Sequence, residues 1–186
     1  MKIIFFTLVF LFVQISLAQH NNTITNIEKK CRVIDMYNSY KTDTLKNEAF
    51  LDEGFLKQKG EGFGQMVAYY KSDTLIKIRE YFGIKLMKDF ATTIYYFEEN
   101  QLIFVSEKES IGPEILTDSN GTVDHKAKHC DFEGQYYFSK GKLIYTKVKG
   151  EPQILPNEKY FDSQSKEGQL LTSAEKNRNL FSKKKK

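Results

Sequence analysis

The stretch Asp124–Asp131, DHKAKHCD, is where metal chemistry is easiest to imagine, because His125 and His129 stand four residues apart in it. Two imidazoles at that spacing can ligate one metal from a single helical turn. The segment lacks the Glu that a zinc-protease motif carries, and a polar loop leading into a strand is the plainer reading. An exported hydrolase or metal-dependent enzyme built on His125 and His129 is the one catalytic alternative. Gly60, Gly62 and Gly64 form G-x-G-x-G with no helical pattern behind them, so a phosphate cradle is not expected. No nucleophile elbow occurs. Acidic pairs such as Asp52-Glu53 and Glu98-Glu99 suit a surface, and three histidines supply few general bases. No catalytic residue, metal ligand or cofactor is assigned, and the balance is against an enzyme.

The two cysteines are Cys31 and Cys130. In an oxidising compartment such a pair reads as a disulfide, which would contribute on the order of 4 kcal/mol by restricting the unfolded chain. Two buried thiols are the alternative. The first residues argue for that compartment. Lys2 gives a positive start, Ile3–Val13 an apolar run, and Ser16-Leu17-Ala18 a small-residue cleavage site. Residues 1–18 are therefore expected to be a signal peptide, followed by one domain over 19–182 and a disordered Lys tail over 183–186. The apolar run falls short of the roughly 20 residues that a spanning helix needs, and no transmembrane segment is expected after cleavage. The protein is expected in the periplasm or secreted.

Net charge is +4, but without Lys2 and the four terminal lysines it is −1. A near-neutral body is not an electrostatic nucleic-acid binder. The tail leaves room for a structural envelope component held to anionic polymer or lipid.

The elements that would carry any site come from a phrase written three times. AYYKSDTLIKI, YYFEENQLIFV and QYYFSKGKLIYT share Y-[YF]-x-x-[DNG]-x-L-I. Aromatic and β-branched runs around a two-residue turn, with Asp, Asn or Gly second, are a hairpin signal. Ser72-Asp73, Glu99-Asn100 and Lys140-Gly141 are the expected turns. A simple two-residue count pairs Tyr69 with Ile76, Tyr96 with Ile103 and Tyr137 with Ile144. One face then continues through Val67/Ile78 and Ile94/Val105 and should be core. The other collects Ala68/Lys77, Tyr95/Phe104 and Tyr136/Tyr145. Tyr95, Phe104, Tyr136 and Tyr145 are thus the candidate ligand-binding residues, an aromatic patch on the wetter face. The bland alternative covers that face and makes both sides core.

Thr23–Tyr40 carries Ile24, Ile27, Cys31 and Ile34 at steps of three and four, a helical stripe that should lie against the sheet. Short strands are expected within Glu48–Gln65, around Glu114–Leu116 and over Gln153–Phe161, and a short helix over Ser173–Phe181. The fold class is α+β, with an N-terminal helix packed on an antiparallel, meander-like sheet built around three similar hairpins.

Over Met66–Lys149, the phrase YYFSKGKLIYT resembles the YY-x-x-G-x-L repeats of MORN-like proteins. It is more similar to uncharacterised exported proteins of Gram-negative envelopes. The repeat spacings, 27 from Tyr69 to Tyr96 and 41 from Tyr96 to Tyr137, favour one sheet over regular stacking. The resemblance implies a binding role and no reaction. The expectation is an exported non-catalytic binding protein, of inhibitor or immunity type for example, whose partner is an unknown protein or envelope polymer.

Overall fold

The computed structural model describes residues 21–46, 62–84, 89–110, 114–117, 123–126, 131–152 and 165–183. The expected signal segment, the strand over Gln153–Phe161 and most of Glu48–Gln65 lie outside the described residues. Contacts divide the chain into two units, Met1–Asn38 and Ser39–Lys186.

Helix α1 spans residues 21–36 in the first unit. Its expected stripe is present, with Ile27 and Cys31 buried and Ile24 and Ile34 half-buried, while Val33 and Met36 are exposed.

The second unit holds β1 (Lys41–Lys46), β2 (Gly62–Lys71), β3 (Thr74–Ile84), β4 (Asp89–Glu98), β5 (Gln101–Ser110), β6 (Glu114–Thr117), β7 (Val123–Lys126), β8 (Asp131–Ser139), β9 (Lys142–Lys149) and helix α2 (Lys166–Lys183). Seven strands form one sheet in the order β1-β2-β3-β4-β5-β8-β9, and β6 pairs with β7 in a separate two-stranded sheet. Every pairing among the described residues is antiparallel. The fold is α+β, with an antiparallel meander and a helix towards each end of the chain.

The three hairpins turn where the shared phrase places them. Both central residues have positive φ in each: Ser72 47° and Asp73 65°, Glu99 49° and Asn100 64°, Lys140 50° and Gly141 74°. This is the type I′ turn, whose twist matches that of the flanking strands. The register then departs from the simple count. Tyr70 faces Leu75, but Tyr69 faces Lys77, leaving Ile76 as an extra residue. Phe97 faces Leu102 and Tyr96 faces Phe104, leaving Ile103. Phe138 faces Leu143 and Tyr137 faces Tyr145, leaving Ile144. The same β-bulge thus occurs three times, at the Ile of each Leu-Ile pair. A bulge sets two residues against one and shifts the pairing beyond it by one residue.

Beyond the bulges, cross-strand rows assign the faces. Ala68, Ile78, Tyr95, Val105 and Tyr136 lie in one row. They join Met66, Tyr70, Leu75, Phe97, Leu102 and Phe138 in a core closed by Leu170, Ala174 and Phe181 of α2. Within the second unit, the helix that covers the sheet is therefore the C-terminal one. It starts seven residues before the expected Ser173 because Ser165 caps it. The Ser165 hydroxyl accepts the Gly168 N–H at 3.3 Å, and its carbonyl accepts the Gln169 N–H at 3.0 Å.

Candidate functional site

The bulges split the four expected ring residues between two faces. Tyr95 and Tyr136 flank Val105 beneath α2, each only 3% exposed. Phe104 and Tyr145 lie on the reverse face. There the rings of Tyr96, Phe104, Tyr137 and Tyr145 follow one another across four strands, with centroid separations of 5.6, 4.8 and 5.5 Å. Lys77, next in that row, sits 4.3 Å from the Tyr69 ring centroid. Tyr96, Phe104 and Tyr137 are buried, and only Tyr145, at 42%, is exposed. The expected wet aromatic face is thus corrected to one exposed ring at the end of a buried ladder.

That ring stands on β9, the last strand of the sheet among the described residues. Six of its eight residues, Lys142 and Tyr145–Lys149, are exposed, including Val148 at 50%. Cross-strand pairing puts Tyr145, Lys147 and Lys149 on the reverse face with Tyr137, Gln135 and Glu133, while Thr146 and Val148 take the other side with Tyr136 and Gly134. Lys108 donates to Glu133 at 3.1 Å. That bond, then the Lys108 charge and the Lys149 and Lys147 charges, hold the Glu133 carboxyl below its usual range.

Beneath α2 lies a polar cluster that the sequence did not flag. Glu80 and Glu107 occupy one cross-strand row on either side of Thr93, roughly 10 Å apart at the backbone. The Lys166 ammonium donates to Glu107 Oε1 at 2.9 Å, and Glu107 Oε2 is buried without a hydrogen-bond partner among the described residues. The same ammonium lies 5.2 Å from the Tyr136 ring centroid. Asn177 Nδ2 and the Tyr95 hydroxyl donate to Glu80 Oε2 at 3.3 and 3.4 Å. Burial pushes the Glu80 carboxyl above its ordinary value, against these two bonds. Burial, and next the Glu80 charge, raise the Tyr95 phenol well above its own; burial and then the Glu107 charge raise Tyr136. Lys166, Ser173 and Asn177 recur at helical spacing, so α2 presents a polar stripe to this row beside its apolar Leu170, Ala174 and Phe181. Glu167 accepts the Leu143 N–H at 2.9 Å, and Arg178 donates to the Asn100 carbonyl at 2.9 Å. Both carboxylates face the helix and bond to it, Glu107 to Lys166 and Glu80 to Asn177.

A cleft of about 550 Å³ opens where the hairpin tips meet the end of α2, lined by Tyr70, Leu75, Phe181, Asp73, Asn100 and Arg178 among others. Its charged groups are engaged, since Lys41 holds Asp73 at 3.1 Å and Arg178 is bound to Asn100.

His125 lies in strand β7, opposite Ile115, and not on a helical turn. His129 lies outside the described residues. No group of three His, Cys, Asp or Glu placed to hold a metal occurs among the described residues. Cys31 is a free thiol, so the expected Cys31–Cys130 bridge is not formed among the described residues, and Cys130 lies outside them. Burial, then the Asp35 and Glu28 charges, push the Cys31 thiol up to about 12, which keeps it protonated. No helix among the described residues is long and apolar enough to cross a membrane. No protein-family model, curated protein or solved structure matches this chain.

Proposed function

We propose that this is an exported, non-catalytic binding protein that meets a protein partner at the β9 edge of its sheet. The observation that carries the reading is the exposed pair Tyr145 and Val148, 42% and 50% accessible, on opposite faces of a terminal strand. An exposed ring backed by a packed ladder offers contact area at little entropy cost, as interaction anchors do. The signal-like N-terminus and the MORN-like phrase support export and binding, and inhibitor or immunity proteins remain concrete versions. Replacing Tyr145 and Val148 together by Ser tests it. Capture of a partner from envelope extract should be lost, while stability falls by only about 1–2 kcal/mol, because both side chains are about half accessible and Tyr145 gives up one ring contact, with Tyr137. Equal capture by both proteins would remove β9 from the function.

A further inference from the structure

The geometry points to β-strand addition at β9, with an extended acidic segment of the partner as the added strand. This rests on the β9 reading and supplies the partner's chemistry.

Strand β9 is eight residues long, roughly 26 Å, and no strand pairs with its outer side among the described residues. Glu167 engages the N–H of Leu143 near its start. Lys142, Lys147 and Lys149 lie within it, and it contains no Asp or Glu. On the reverse face Lys149 stands opposite Glu133 and Lys147 opposite the next residue of that face, Gln135, and Lys108 already holds Glu133, so the Glu133 carboxylate feels three ammonium groups. Edge lysines oppose pairing between like edges, and two copies of β9 would set lysine against lysine. An acidic strand reverses the sign of that interaction. Main-chain hydrogen bonds would supply affinity, and alternate side chains would supply selectivity. Acidic residues would fall beside Lys147 and Lys149, and β-branched residues beside Thr146 and Val148.

The test uses the full chain and three fluorescein-labelled ten-residue peptides. One alternates Glu and Val, one alternates Lys and Val, and one is the acidic peptide with Pro at two central positions. The acidic peptide is expected to bind, at least tenfold more tightly than the other two. Lys147→Glu/Lys149→Glu should switch the preference to the Lys–Val peptide. Both lysines are exposed, so an unchanged melting temperature verifies that this variant is folded. Equal binding of the Pro peptide would overturn strand addition in favour of bulk electrostatic attraction. No acidic binding, with no response to charge reversal, would overturn the acidic partner. If Tyr145→Ser/Val148→Ser still abolishes partner capture in that case, the β9 reading survives and only the partner's chemistry fails.

Discussion

Removing Lys166 should cost far more than an ordinary surface lysine. Its partner Glu107 has a side chain only 6% exposed, against 23% for Lys166, and the two meet at 2.9 Å. Glu107 Oε2 already lacks a hydrogen-bond partner among the described residues. Lys166→Met would therefore leave a buried carboxylate without its cation. Breaking a buried pair from one side costs about 3–5 kcal/mol. Water can reach the vacated Lys166 position, which lowers the expectation to about 2–3 kcal/mol. For a domain of this size that is roughly 5–10 °C in Tm. Urea unfolding of Lys166→Met, Glu107→Gln and the double variant, followed by circular dichroism, completes a double-mutant cycle. Glu107→Gln with Lys166→Met should recover most of the loss. A single-variant loss below about 0.5 kcal/mol, or a coupling energy near zero, would falsify the idea that this pair seats α2.

Three further outcomes follow from the same geometry. Glu80, whose carboxyl is raised by burial, contributes stability that is complete below its ordinary value of 4.5 and is lost as pH rises through the higher folded value. Glu80→Gln should therefore gain Tm over the unmodified protein at pH 7–8 and lose that gain near pH 4, and a parallel pH profile for both proteins would contradict the raised carboxyl. At Gly134 an added Cβ would lie 2.7 Å from Cε2 and Oη of the buried Tyr136 ring. Gly134→Ala is expected to lose about 1–3 kcal/mol, and Gly134→Ala/Tyr136→Leu to lose less than the sum of its parts. The Cys31 thiol, at about 12, should resist iodoacetamide at pH 8 until the protein is unfolded, and rapid native alkylation would show it to be accessible.

Turns and hairpins were legible because each copy of the phrase combines aromatic strand residues with a turn residue that tolerates positive φ. The bulges were not. Leu75-Ile76, Leu102-Ile103 and Leu143-Ile144 are apolar at both positions, so nothing in the alternation marks the extra residue. Both faces also carry rings, and a pattern with rings on both sides is blind to a one-residue slip. That slip is why a simple alternation groups Tyr95 and Tyr136 with Phe104 and Tyr145, from which the sheet separates them. Small residues held a usable signal. Ala68, Ala91 and Gly134 all fall on the helix-covered face, which the parity of Lys77, Arg79 and Lys108 opposes. The early start of α2 was hidden by Gly168 in its first turn, which weakens the helical pattern that Ser165 initiates. Glu80, Glu107 and Lys166 looked like ordinary surface charge, because their meeting depends on which helix closes the sheet.

The meander connectivity also governs the order in which this domain can assemble. Six of the nine described strands pair with a chain neighbour across a two-residue turn, which keeps those three pairings local in sequence. Isolated hairpins of this kind close in about 1–10 μs. The pairing of β5 with β8 spans the β6–β7 segment, and the Asn177–Glu80 contact joins residues 97 apart. Loop-closure entropy places such long-range steps late. Folding is accordingly expected to form the β2–β5 ladder first and to seat α2 last. Lys166→Met should then accelerate unfolding while leaving the folding rate nearly unchanged, and a slowed folding limb would put the helix in the nucleus instead.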